Sequence, residues 1–161
     1  MEPNITPGAR LLVDKTAYRT GPVRRGDVVV LRMMGPVGGP GTVFACSFMA
    51  ALSGAGLADH VAVVTDGELS GLNRGITIGQ VMPEAACGGP LAIVQESERI
   101  LIDFGARTIR LDVSDDEIQR RLHNWKMPPR SVRPGWLSQY AELVQPLSKG
   151  AVLGARSLKQ S

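Results

Sequence analysis

The segment from residue 35 to residue 41 restricts the fold more than any other part of the chain, because it reads GPVGGPG. Four glycines and two prolines in seven residues exclude a helix and the interior of a regular strand. We therefore expect a shaped loop. The residues before it, Asp27 to Arg32, are short, apolar and β-branched, so they predict a buried strand that leads into this loop.

A second strand ends in a polar loop, and this pattern predicts a small-molecule site. The run from His60 to Thr65 is apolar and leads directly into Asp66 and the sequence GELSG. Polar groups at strand ends, beside glycines that permit close approach, commonly form binding sites. From the residues alone, Ser70 is better explained as a turn-capping hydroxyl and Asp66 as a structural turn carboxylate.

The remaining patterns predict one compact α/β domain. The chain of 161 residues divides into an arm over 1–25, a domain over 26–153 and a polar tail over 154–161. Helices are expected over 47–56, from residue 115 with Ser114 as the cap, and over 135–144. Further strands are expected at 11–13, 91–94, 99–103 and 108–113, the last two as a hairpin.

Composition argues against several functional classes. The net charge is only +3, and the basic pairs Arg24-Arg25 and Arg120-Arg121 lack interleaved aromatic residues, so we expect no nucleic-acid site. No long apolar stretch and no signal-peptide pattern is present, so we expect a cytoplasmic protein that does not bind a membrane. Cys46 and Cys87 lie among small apolar residues, and we expect both in the core.

The order of the motifs resembles a known family. The sequences TDGELSG (65–71), RGITIG (74–79), PEAACGGPLAIV (83–94) and GAVL (150–153), preceded by GDVVVLR and GPVGGPG, are similar to the carboxy-terminal domain of the dihydroxy-acid and phosphogluconate dehydratase family. The similarity extends roughly from Gly26 to Leu153. It implies a swivelling β/β/α-type fold of the α/β class, with a mixed barrel-like sheet and flanking helices.

The resemblance also implies site residues. Family members dehydrate vicinal hydroxy acids with an iron–sulfur cluster, a magnesium ion and a serine thought to act as the base. That serine corresponds to Ser70, and we predict Asp66 as a second catalytic residue. Asn73 stands where the family usually has a threonine that helps hold the substrate carboxylate. The other substrate contacts that we predict are Gly38, Gly39, Phe44, Glu68, Gly71 and Met82.

Departures from the family pattern argue against a metal site on this chain. Phe44 stands where the family has a magnesium-binding glutamate, and a phenyl ring cannot ligate this cation. Glu84 is a candidate replacement ligand, although a structural hydrogen bond at the loop is the favoured interpretation. Two cysteines are too few for an iron–sulfur cluster. We therefore expect this chain alone to bind no cofactor, and any cluster or magnesium to come from a partner subunit.

Three functions follow as hypotheses. The first is the small subunit, or stand-alone carboxy-terminal domain, of a hydro-lyase that acts on a hydroxy-acid-like substrate and needs a large subunit. The second is a repurposed, metal-independent biosynthetic isomerase, lyase or cyclase for a more apolar small molecule, with a pocket formed by residues 35–41, 66–73 and 83–89. The third is a non-catalytic binding module. We place the first narrowly ahead, expect an enzyme, and expect either a large subunit or a homo-oligomer as partner.

Overall fold

The computed structural model describes the backbone of residues 11–13 and all atoms of residues 25–40, 45–71, 73–128 and 134–154. They form a mixed α/β fold with two small sheets and three helices. The strands are β1 (Leu11–Val13), β2 (Val28–Leu31), β3 (Ala62–Thr65), β4 (Thr77–Ile78), β5 (Ile100–Asp103) and β6 (Thr108–Leu111). The helices are α1 (Cys46–Gly54), α2 (Asp115–Asn124) and α3 (Trp136–Leu143). Short 3-10 turns cover Ala85–Cys87, Pro90–Ile93 and Leu147–Lys149.

The main sheet is parallel and has the strand order β1-β2-β3-β4. Val28 lies opposite Ala62, and Leu31 lies opposite Thr65. Parallel strands require a crossover connection, and α1 lies in the connection between β2 and β3. The strands predicted at 11–13, 27–32 and 60–65 are confirmed, as are the three helices.

The central strands are buried on both faces, which explains why they are continuously apolar instead of alternating. One face packs against α1, in a cluster of Val29, Ala45, Phe48, Met49, Leu52, Val61 and Val63. The other face packs against the turn Pro90–Ile93 and the start of β5, in a cluster that includes Val28, Val30, Ala62, Val64, Leu91, Ile93 and Ile100. α2 covers this second cluster through Ile118 and Leu122, and Trp125, directly after the helix, packs there as well. The sheet is therefore a middle layer with structure on each side.

The predicted hairpin and helix cap are confirmed. β5 and β6 pair antiparallel, with Ile100 opposite Leu111. At the start of α2, the hydroxyl of Ser114 accepts a hydrogen bond from the backbone N–H of Glu117 at 3.4 Å. This contact satisfies one of the amides that a helix leaves without an intrahelical partner.

The strand predicted at residues 91–94 is wrong, because this segment forms the 3-10 turn Pro90–Ile93. Proline has no N–H for a strand ladder and fits the first position of a helical turn. The residues Leu91 to Val94 are nonetheless all buried, so their apolar character reflects packing and not a strand. The strand β4 at Thr77–Ile78 was not predicted at all.

The prediction that both cysteines lie in the core is also wrong, since Cys46 and Cys87 are exposed. α1 buries Phe48, Met49 and Leu52, and residue 46 lies at the start of this helix, off that face. In the turn that contains Cys87, the two preceding alanines are the buried residues. Small apolar neighbours therefore do not indicate burial at these two positions.

Several predictions concern residues outside the described ranges. These include Phe44, residues 1–10 and 14–24 of the arm, and residues 155–161 of the tail. Among the described strands, the main sheet has two separate edges, β1 and β4, and does not close into a barrel. No helix in the described part of the chain is long and apolar enough to cross a membrane.

Candidate functional site

Three loops meet at the carboxyl edge of the main sheet. Because β2 and β3 are parallel, the segments that follow them emerge at the same edge, where ligands bind in open α/β sheets. β2 leads into residues 33–40, here called the glycine loop. β3 leads into residues 66–71, the serine loop. The third segment, residues 83–89, is the proline turn, and all three correspond to the pocket segments predicted from the sequence.

The carboxylate of Asp66 joins these three segments. Its Oδ2 accepts hydrogen bonds from the backbone N–H of Met33 at 3.1 Å and of Ala85 at 2.7 Å. Its Oδ1 accepts from the backbone N–H of Met34 at 2.9 Å. Asp66 is completely buried, and a buried carboxylate requires such charge-assisted hydrogen bonds. The end of β3 therefore fixes the start of the glycine loop and the proline turn.

A second buried carboxylate, Glu84, holds the middle of the glycine loop. The backbone N–H of Val37 donates to both Oε1 and Oε2 at 3.1 Å, and that of Gly38 donates to Oε2 at 3.0 Å. A Cβ atom at Gly35 would lie only 2.8 Å from Cδ of Glu84, so glycine is required there. The structural hydrogen bond favoured from the sequence is the contact that Glu84 makes.

Hydrogen bonds donated by backbone N–H groups fix the start of the serine loop. The N–H of Gly67 donates to Oγ1 of Thr65 at 3.0 Å, and the carbonyl of Gly67 accepts from the N–H of Gln80 at 2.9 Å. The N–H of Val81 donates to the carbonyl of Thr65 at 3.1 Å. A Cβ atom at Gly67 would lie 2.5 Å from Cβ of Met34, so the glycine permits the close approach of the glycine loop.

The predicted site residues occupy these segments with different exposure. Asp66 and Gly39 are buried, Gly71 is exposed, and Gly38, Glu68, Ser70, Asn73 and Met82 are half-buried. Hydrogen bonds bring together the loops that carry Gly38 and Asp66. Ser70 lies four residues beyond Asp66 on the serine loop. Oδ1 of Asn73 is buried and accepts no hydrogen bond from the described residues.

The backbone amides that hold the two carboxylates were missed by sequence reasoning. The N–H groups of Met33 and Ala85 belong to every residue type except proline, so side-chain identity carries no signal for them. Arg32 was also missed. Its Nη1 donates to the carbonyls of Ala92 at 2.9 Å and Val94 at 3.2 Å, which ties the end of β2 to the turn Pro90–Ile93.

Comparison with known proteins confirms the resemblance. The family described as Dihydroxy-acid/6-phosphogluconate dehydratase C-terminal matches residues 12–151. The chain belongs to this dehydratase family. The dihydroxy-acid dehydratase of Pyrobaculum aerophilum is 48% identical over 136 residues, covering 84% of this chain and 24% of that protein. That of Methanococcus aeolicus is 49% identical over 133 residues, covering 83% of this chain and 24% of that protein.

A third dihydroxy-acid dehydratase, from Thermodesulfovibrio yellowstonii, is 47% identical over 137 residues, covering 85% of this chain and 25% of that protein. The dehydratase-family chain thus spans about a quarter of the length of these relatives. Most of its own length takes part in the match, including all three loops of the site.

The two buried carboxylates of this dehydratase domain hold the loops of the site. The oxygens of Asp66 and Glu84 accept hydrogen bonds from backbone N–H groups. Among the described residues, no group of three or more histidine, cysteine, aspartate or glutamate side chains could hold a metal ion.

An apolar pocket of about 310 Å³ lies between the hairpin, α2 and the turn Pro90–Ile93 of the dehydratase domain. Aliphatic side chains dominate its lining, which includes Val81, Leu91, Ile93, Val94, Ile100, Ile109, Leu111 and Ile118. Neither Ser70 nor Asn73 lines it. A pocket of this size and character suits a small apolar molecule.

A network of ion pairs fixes α2 to the loop before β5. Arg121 pairs with Glu98 at 2.6 Å and with Glu117 at 2.7 Å, and Arg120 pairs with Glu117 at 2.6 Å. Hydrogen bonds from Arg120, and then from Arg121, lower the pKa of Glu117 from 4.5 to about 2. Arg120 and Arg121 also line a groove of about 380 Å³ together with Arg32 and Trp125. Arg121 joins α2 to the loop before β5 through Glu98, whereas the pair of Arg120 with Glu117 lies within the helix.

Proposed function

We propose that this chain is the carboxy-terminal part of a hydro-lyase that acts on a hydroxy-acid-like substrate, and that a large subunit supplies an iron–sulfur cluster and magnesium. The observation that carries the proposal is the rigid attachment of the serine loop to the glycine loop through Asp66. It occurs in a chain whose relatives are named dihydroxy-acid dehydratase. The proposal includes a swivelling β/β/α-type unit, in which the parallel main sheet and the antiparallel hairpin are separate sheets.

In this proposal, Ser70 contacts the substrate at the proton to be removed. Dehydration of a vicinal dihydroxy acid removes a proton from the carbon beside the carboxylate, and the hydroxyl on the next carbon leaves as water. A serine hydroxyl is a weak base at neutral pH, so the proposal requires cations near Ser70 from the other part of the enzyme. Asn73, with an amide that can donate to a carboxylate, is assigned to the substrate.

The buried carboxylates have a positioning role in the proposal. Asp66 contacts three backbone amides and is shielded from solvent, which supports holding the loops and not exchanging protons with a substrate. Its assignment as a catalytic residue stays a prediction. Glu84 has the equivalent role for Val37 and Gly38. Together they fix the glycine loop, whose Gly38 and Gly39 we assign to the substrate, at a set distance from Ser70.

The experiment that tests the proposal isolates the assembly and measures dehydration. The chain is tagged in its own cells, and the purified assembly is assayed for water loss from a 2,3-dihydroxy carboxylate and from 6-phosphogluconate. Mass spectrometry identifies the polypeptides present, with an untagged strain as the control. Turnover together with an amino-terminal dehydratase sequence, on the same or a separate polypeptide, supports the proposal. An assembly without such a sequence and without turnover contradicts it.

A second candidate function is favoured by the apolar pocket of about 310 Å³. An aliphatic lining is expected for a repurposed enzyme that binds a more apolar molecule. Titration of the purified chain with 4-methylpentanoate distinguishes the two candidates. Two results together support the second candidate. The chain alone binds this acid and loses the binding on Ile118→Trp, which fills the pocket, and no dehydratase partner is found.

A further inference from the structure

We infer that the exposed flank of α3, with the segment that follows it, is the docking surface for the amino-terminal part of a dehydratase of this family. This inference rests on the proposed function, because that function requires a second part that carries the cofactors. The surface, here called the α3 patch, consists of Trp136, Leu137, Leu143, Val152 and Leu153.

The α3 patch concentrates exposed apolar area in one place. It contains five of the seven large apolar side chains that are exposed in the described part of the chain, so the exposed apolar surface is not scattered. Trp136 is 66% exposed and Leu143 is 42% exposed. Positions seven apart lie on the same flank of a helix, two turns from each other.

Backbone contacts place the end of the patch beside the helix. Val144 and Leu153 form an antiparallel bridge, and the N–H of Gly154 donates to the carbonyl of Leu143 at 3.1 Å. The N–H of Gln145 donates to the carbonyl of Val152 at 2.9 Å. Val152 and Leu153 therefore lie next to Leu143, and the apolar surface continues from the helix onto the segment after it.

The end of α3 also supports the candidate site. Val144, at the end of α3, is 1% exposed and packs with Val37 of the glycine loop and Ala86 of the proline turn. The inner side of this element therefore supports two of the three site loops, while its outer side carries the patch. A protein that covers the patch contacts the element that fixes the glycine loop.

The partner that binds the α3 patch is inferred from the length of the relatives and from the apolar character of the patch. The family match reaches residue 151 and so includes α3, which shows that most of the patch belongs to the family domain itself. The relatives continue well beyond this domain, since it makes up 24% of their length. A contiguous apolar surface with an exposed tryptophan is typical of permanent interfaces, in which a hydrophobic core is divided between two parts.

The test uses site-specific photo-crosslinking in the cells from which the chain comes. A benzophenone amino acid replaces Trp136, and in a matched control it replaces Phe104, which is 56% exposed in the turn of the hairpin and outside the patch. Cross-linked peptides are identified by mass spectrometry. We expect position 136 to cross-link to an amino-terminal dehydratase-family sequence, and position 104 to give no such product.

Two results overturn the inference. Cross-linking of position 136 to a second copy of this chain identifies a homo-oligomer interface instead. If the dehydratase sequence cross-links to position 104 and not to position 136, the proposed function still holds, but the α3 patch is not the docking surface. The substitutions Trp136→Glu and Phe104→Glu give a quantitative check, because only the first is expected to weaken the assembly, by at least about tenfold. Equal weakening by both contradicts the inference.

Discussion

The carboxylate of Asp66 accepts a hydrogen bond of 2.7 Å from the backbone N–H of Ala85, nineteen residues further along the chain. The same carboxylate holds the N–H groups of Met33 and Met34. One buried side chain at the end of β3 therefore determines the relative positions of the loops that form the candidate site. The stability of the fold and the geometry of the site depend on the same group.

The substitution Asp66→Asn is expected to destabilise the protein. The asparagine amide nitrogen would face a backbone N–H, so at least one buried donor loses its acceptor, and the free energy of unfolding should fall by about 3 kcal/mol. Urea unfolding followed by circular dichroism measures this difference. The control is Asp59→Asn, at an exposed surface ion pair with Arg74, where a change below about 1 kcal/mol is expected. Equal changes for both variants would contradict the positioning role of Asp66.

Gly35→Ala is expected to disrupt the glycine loop, because the added Cβ would overlap the buried carboxylate of Glu84. Thermal unfolding should show a clear loss of stability, of about 2 kcal/mol or more. Gly54→Ala is the matched control. Its Cβ would meet nothing within 4 Å, and alanine at the end of α1 should be neutral or slightly stabilising. If both alanine variants are as stable as the parent, the close contact between Gly35 and Glu84 is wrong.

The stabilisation that the ion pairs of Glu117 within α2 provide is expected to depend on pH. The ion pairs with Arg120 and Arg121 lower the pKa of Glu117 to about 2 in the folded protein, from an ordinary value of 4.5. The stabilisation is therefore complete above pH 4.5 and is lost as the pH falls toward 2. Glu117→Gln should be less stable than the parent above this range, and the difference should shrink below it.

Denaturant unfolding at a series of pH values measures this effect, with Glu96→Gln at an exposed position of the loop before β5 as the control. A Glu117→Gln deficit that does not change with pH would show that protonation of Glu117 does not control these ion pairs.

The sequence predicted the parts of the fold that depend on local chemistry. The β-branched runs before Arg32 and Asp66 predicted β2 and β3, and Ser114 predicted the start of α2, because strand burial and helix capping are local properties. The strand predicted at residues 91–94 failed because a short apolar run is compatible with a strand or with a buried helical turn.

The hydrogen bonds that hold the site loops together were not predictable in the same way. The motif TDGELSG placed Asp66 and Ser70 on one loop, but the hydrogen-bond donors to Asp66 and Glu84 are backbone amides up to 47 residues away. Such contacts depend on how the loops meet in three dimensions, and any residue except proline supplies the donor. The resemblance identified which loops matter, and the structure shows what holds them.

The dehydration rate of the complete assembly that carries Ser70→Ala tests whether Ser70 removes the proton from the substrate. We expect a rate at least about a hundredfold lower than that of the parent, which is typical of losing a proton-transfer group. The polypeptide composition of the assembly should remain unchanged. If the Ser70→Ala assembly dehydrates the substrate at the parental rate, Ser70 is not the group that contacts the reacting proton, and the proposed role of the serine loop is wrong.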